Sequence, residues 1–191
     1  ESQSDSLDFD LGSLKYTEQH KGPFHTDLAG VMLPKYVKLQ LLRIDVLAPF
    51  EHIIWVDASI RLHWNFPERI SHALGTKELL LLRHPWRYPQ TARAEAEGAV
   101  REQPRYAALR LEQQLKVYKA AGFEDDVGLF WSALFAARRT QRNVALFDLW
   151  WEENRHWGYM CQVSLPFAVW KTQLTYGMIP VEYVSGNDAK I

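Results

Sequence analysis

The sequence predicts an α/β fold in which a mostly parallel sheet is flanked by helices. Three observations carry that expectation. Short apolar runs at His52–Val56, 79–82 and 128–137 have the length of buried strands. The longer segments between them repeat apolar residues every three or four positions, as one face of a helix requires. Strand-like and helix-like patterns alternate along the chain, the order that crossover connections produce.

Each element follows from its own residues. Residues 1–13 are acidic and Ser-rich and read as a flexible lead-in, with a single domain over 14–191. A helix is expected from Leu33-Pro34, since Pro suits a first turn. Val37, Leu41 and Ile44 would form its apolar stripe, and Pro49 its end. The strand His52–Val56 follows. Asn65-Phe66-Pro67-Glu68 opens a short helix that Gly75 closes, and the four leucines at 79–82 read as a buried strand. Residues 90–121 read as helical, with Pro104 opening the clearer half and Leu111, Leu115 and Tyr118 as its stripe. Residues 128–137 form a strand. Asn143 is expected to cap a helix through Glu153, a further helix covers 161–170, and 181–184 is a last strand.

The bulk properties narrow the function classes. A chain of 191 residues with 47% hydrophobic and 24% charged residues suits one domain with a sizeable core. A net charge of −1 with scattered arginines argues against a general nucleic-acid binder. No apolar run is long enough to span a bilayer, and the first 14 residues do not read as a signal peptide. The single cysteine, Cys161, points to a reducing compartment and a cytoplasmic location. A Cys161–His156 nucleophile pair lacks any local signature of the cysteine proteases.

The most informative stretch is 52–60, His-Ile-Ile-Trp-Val-Asp-Ala-Ser-Ile. A buried strand ending in Asp57 places that carboxylate at the sheet's C-terminal edge, where open α/β sheets bind ligands. The layout is similar to a degenerate Asp-x-Asp motif of nucleotide-sugar glycosyltransferases. Asp57 would then handle a divalent cation or a donor ribose, with Ser59 as a weaker neutral ligand. On spacing alone, Asp57 could equally cap the turn after the strand.

Six landmarks, this strand among them, carry the likeness along the chain. They are Pro34-Lys35-Tyr36-Val37-Lys38-Leu39, Ile54-Trp55-Val56-Asp57-Ala58-Ser59-Ile60, His84-Pro85-Trp86-Arg87, Gln114-x-x-x-Tyr118-x-x-x-Gly122-Phe123 with Gly128-Leu129, Trp150-Trp151-x-Glu153, and Gln162-x-Ser164. In this order, over roughly 34–171, they resemble the glycosyltransferase-like domain known as DUF616. The resemblance implies a GT-A-like (Rossmann-like) fold. It also implies transfer of a sugar from a nucleoside-diphosphate donor, a UDP-sugar being the first expectation, to a saccharide acceptor, with Mn²⁺ or Mg²⁺.

Residue by residue, the resemblance assigns Lys35, Lys38, Asp57 and Ser59 to the donor, with Asp57 and Ser59 also as metal ligands. It assigns His84 and Arg87 to the acceptor, and Glu95, Glu153 and Gln162 to catalysis. Asp125 and Asp126 follow Gly122 and read as a turn cap. The chain departs from the family twice. Residues 1–33 hold no clear copy of the base-holding strand and loop, and the acid before Gln162 is replaced by Cys161. A buried thiol is mostly neutral and behaves as a small hydrophobe. These departures favour, as the alternative, a non-catalytic glycan-binding or interaction module on the same scaffold.

Overall fold

The structure, a computed structural model, describes residues 9–11, 14–16, 29–62, 64–87 and 89–186. Inside the expected lead-in, β1 (Phe9–Leu11) pairs antiparallel with β2 (Leu14–Tyr16); the rest of 1–13 lies outside the described residues. Then follow α1 (Ala29–Leu39), β3 (His52–Val56), β4 (Ile60–Leu62), α2 (Phe66–Leu74), β5 (Leu79–Arg83), α3 (Ala92–Glu102) and α4 (Leu111–Ala120). The chain closes with β6 (Phe130–Arg138), α5 (Gln141–Trp157), α6 (Cys161–Thr172), β7 (Tyr176–Met178) and β8 (Val184–Gly186).

The main sheet is four-stranded, in the order β3-β6-β5-β7. It is mixed, which corrects the expectation of a mostly parallel sheet. β3, β5 and β7 run the same way, but β6 lies between β3 and β5 and runs against both. The reason lies in the connection. The chain leaves β5 at Arg83, passes through α3 and α4, and re-enters at Phe130, which pairs with Arg83 itself. Two successive helices return the chain to the edge that it left, so the next strand must run back.

Alternation along the strands splits the core into two layers. Leu79, Leu81, Phe135 and Ala137 face one side, packed with Met32, Tyr36 and Leu39 of α1, Phe147 and Trp150 of α5, and Leu165 and Ala168 of α6. Leu80, Leu82, Leu134 and Ala136 face the other, against Phe66, Ile70 and Leu74 of α2. A third cluster, under α3 and α4, is built on Tyr118 and Phe167, whose rings stack at 3.8 Å. Among the described residues no helix is long and apolar enough to cross a membrane.

Several boundaries differ from the sequence pattern. Helix α1 starts at Ala29 and carries Pro34 inside, losing the one backbone bond that Pro cannot donate. Its core stripe is Met32, Tyr36 and Leu39, and burial of that stripe outweighs the lost bond. Beyond Leu39 the chain makes 3₁₀ turns at Leu41–Arg43 and Asp45–Leu47. The segment 90–121 is two helices, because Pro104 holds Gln103 extended (φ −138°, ψ 100°) and the chain then makes a 3₁₀ turn, Pro104–Tyr106. Thr140, not Asn143, caps α5; Asn143 is fully buried and donates to the carbonyls of Glu78 and Arg138. Residues Val181–Tyr183 form a 3₁₀ turn, after which β8 pairs with β4.

Candidate functional site

The strand His52–Val56 ends where the sequence places it, and Asp57 continues its ladder by one bond, donating its N–H to the Ala133 carbonyl at 2.8 Å. On the other side of β6, the His84 N–H donates to Leu129 at 3.0 Å. The antiparallel β6 therefore starts where β3 and β5 end, and three chain segments meet at one edge of the sheet. Over that edge lies a cleft of about 360 Å³. Its wall includes Lys35, Asp57, His84, Arg87, Glu95 and Gln162, six of the nine residues expected to form the site.

One end of the cleft is built on α1. Lys35 and Lys38 are one turn apart and share a face. The Lys38 ammonium is 2% exposed and donates to Asp57 Oδ1 at 3.1 Å, and the Trp55 indole N–H donates to the same oxygen at 2.5 Å. Asp57 itself is 37% exposed, so Lys38 anchors it from behind while the carboxylate borders the cleft. Lys35 reaches the cleft wall, where its Nζ lies 3.3 Å from Cys161 Sγ. Cys161 opposite raises the Lys35 pKa despite burial, so this ammonium stays charged.

The thiol behaves differently from the inert hydrophobe that the sequence suggests. Burial pushes the Cys161 pKa up, but Lys35 and Lys38 and a 3.2 Å contact with Ser132 Oγ more than offset it, leaving it below the usual thiol range. Cys161 thus stands within hydrogen-bonding distance of Lys35.

The second half of the cleft is a network around Glu95, which is only 3% exposed on α3. Arg87 Nε donates to its Oε2 at 2.8 Å and Gln162 Nε2 to its Oε1 at 2.6 Å. The other guanidinium nitrogens of Arg87 grip Glu102 at 2.6 and 3.0 Å, a bidentate fork. Burial raises the Glu95 pKa, partly countered by Arg87 and Gln162. His84 Nε2 lies 3.7 Å from Glu95 Oε2, yet the two do not form an ion pair. Burial and the nearby Arg87 charge lower the His84 pKa to about 4, so the ring is neutral at pH 7. Its Nδ1 accepts from the Trp86 N–H at 3.4 Å.

Glu153, Lys38 and Ser59 are not among the residues lining the cleft. Glu153 accepts from Tyr118 Oη at 2.8 Å and from the Trp157 indole at 3.0 Å, in the cluster under α3 and α4. Burial first, and this carboxylate second, push the Tyr118 pKa well above its usual value. Ser59 is exposed on the turn after β3. Asp125 is a cap, as expected, but of a distant helix: its two oxygens accept from the N–H groups of Ala92 and Arg93 at the start of α3.

The residues at Asp57 fit a divalent cation poorly. Mn²⁺ and Mg²⁺ take several oxygen ligands. Here one carboxylate oxygen already holds an ammonium, a second ammonium stands in the same wall, and Ser59 does not join it. The arrangement fits an anion beside Lys35 better. Among the described residues no three His, Cys, Asp or Glu side chains gather as a metal site.

Sequence reasoning missed Trp86, Trp131, Arg105 and Tyr106, which also line the cleft. Trp86 stood inside a quoted motif, while Arg105 and Tyr106 belong to the 3₁₀ turn hidden within an apparently continuous helix. Comparison with protein-family models, curated proteins and solved structures finds no match to this chain.

Proposed function

We propose that this chain is a GT-A-like glycosyltransferase domain that moves a sugar from a nucleoside-diphosphate donor to a saccharide acceptor. The observation that carries the reading is convergence. Asp57, His84, Glu95 and Gln162 come from four separate segments and line one cleft at the strand ends, with the charged Lys35 in the same wall. Lys35 meets the diphosphate and neutralises the charge that builds on the leaving group. This is the part that the family resemblance gives to Mn²⁺ or Mg²⁺. Asp57, anchored by Lys38, accepts from the donor ribose through Oδ2. Glu95 is the acid–base candidate. Its two held oxygens fix its orientation, and the residue lines the cleft.

A second reading is favoured by one feature. Both Glu95 oxygens are engaged by protein donors, and Cys161 stands where a second acid is expected. A module that holds a glycan without turning over a donor uses the same cleft.

The test is thermal unfolding with UDP and GDP, in EDTA and with Mn²⁺, followed by assay of UDP-sugar turnover. At about one hundred times Kd, a nucleotide should add roughly 2.7 kcal/mol of stability, even in EDTA. Asp57→Asn removes a charged acceptor while keeping its shape, and should weaken donor binding about tenfold or more. If neither nucleotide stabilises the protein with or without Mn²⁺, the donor site fails. Glycan binding without turnover of any UDP-sugar selects the second reading.

A further inference from the structure

The cleft has a third component that neither the donor end nor the Glu95 network uses. Trp86 is 42% exposed, although large aromatic side chains are usually withdrawn from water. Its ring meets that of Trp131 edge-on, with centroids 5.0 Å apart and planes at 69°, and both rings line the cleft. Together they make a corner, one ring offering a face and the other a wall.

The corner is held rigidly. His84 fixes the start of the loop by its N–H to Leu129, and its Nδ1 accepts from the backbone N–H of Trp86. The Gln90 amide ties off the carbonyls of His84 and Arg87 at 2.7 and 2.6 Å. Arg87 is then clamped between Glu95 and Glu102. The Trp131 side is fixed by the central strand. His84 and Arg87, which the resemblance assigns to the acceptor, also hold the loop that carries Trp86.

The chemistry of the wall selects the ligand. An apolar ligand finds only a small aromatic corner among polar groups. An anionic ligand at this end finds Arg87 already engaged by the two carboxylates of Glu95 and Glu102. A neutral polyol with one apolar C–H face suits both features. Its face lies on indole, and its hydroxyls reach the exposed Glu102 and the neighbouring Gln103. Preorganisation of the platform lowers the ordering cost of binding.

We propose that Trp86 and Trp131 form a stacking platform for a pyranose unit of a neutral oligosaccharide, the acceptor subsite of the cleft. This rests on the transferase reading for the word acceptor, but not for the binding itself.

The test is calorimetric titration of the whole chain with di- to hexasaccharides of glucose, galactose, mannose and xylose, and separately with UDP. At least one oligosaccharide series should bind the wild type. Trp86→Ala should weaken it tenfold or more, and Trp86→Phe, which keeps an aromatic face, should stay within about threefold of the wild type. Trp64→Ala, at a 91% exposed tryptophan outside the cleft lining, should change nothing. UDP affinity should be the same in Trp86→Ala as in the wild type. Thermal unfolding of Trp86→Ala should match the wild type, so that lost binding is not lost folding. The platform is overturned if no oligosaccharide binds, if Trp86→Ala binds as well as the wild type, or if that variant loses UDP instead, which would make the corner a base-stacking site. Saccharide binding that depends on Trp86, in a protein that binds no nucleotide, keeps the platform and removes the transferase.

Discussion

His84 illustrates how one residue can be placed by sequence and given its role only by its neighbours. It stands at the end of β5 as the pattern requires, but burial keeps its ring neutral with a pKa near 4. That value fixes the sign of its effect on stability. The unfolded chain, with an ordinary imidazole near 6.5, binds a proton that the folded chain refuses. Stability from this group is therefore complete above about pH 6.5 and is lost as the pH falls toward 4, by at most roughly 3 kcal/mol. Glu95 acts in the opposite sense, because its raised pKa makes the folded carboxyl less costly in acid. Comparing the wild type with His84→Asn isolates the imidazole, since Asn keeps an acceptor for the Trp86 N–H but takes no proton. Denaturant unfolding between pH 7 and 4 should show a shallower loss in the variant. Equal slopes would mean that His84 is protonated in the folded state.

At the scale of elements, the cleft depends on how α3 lies against the loop after β5. Gly98 is the contact point. A Cβ built there would overlap the Arg87 guanidinium, so only the bare backbone lets that side chain lie on α3 and reach both Glu95 and Glu102. Gly98→Ala should gain about 1 kcal/mol of helix propensity. It must also push Arg87 aside and strand a carboxylate that is 3% exposed, a loss of several kcal/mol in comparable buried pairs. The net effect should be a destabilisation of about 1–3 kcal/mol, with weaker saccharide binding because the Trp86 loop loses its clamp. A variant as stable as the wild type, with saccharide affinity intact, would show that the clamp does not hold the loop.

For the whole molecule, β6 is the member on which everything else is hung. Its side chains alternate between the two core layers, it pairs with both β3 and β5, and its first residues form the floor of the cleft. Phe135 is fully buried against Phe147 and Trp150, with ring centroids 5.3 and 5.9 Å away. Phe135→Ala should cost about 3–5 kcal/mol. For a chain of this size that lowers Tm by roughly 6–20 °C, measurable by calorimetry. A loss below 1 kcal/mol would mean that the layer of Phe147 and Trp150 adds little to the cooperative core.

The sequence by itself determined the strand that ends at Asp57, the leucine strand before His84 and the helix that opens at Cys161. In each the local pattern and the tertiary demand agree, because a short apolar run or stripe has only one way to be buried. It also placed Lys35, Asp57, His84, Arg87, Glu95 and Gln162 in one candidate site, through the order of its motifs. Only the tertiary structure decided the direction of β6, since apolar periodicity does not record which way a strand runs. The same limit explains Glu153, which belongs to one of the ordered motifs but faces Tyr118 and Trp157 instead of the cleft. It explains Lys38 as well, one turn from Lys35 yet turned inward onto Asp57. Spacing fixes which residues can be neighbours on a helix; what lies opposite them, and hence whether a charge is offered to a ligand or consumed by a partner, is set by contacts between segments far apart in the chain.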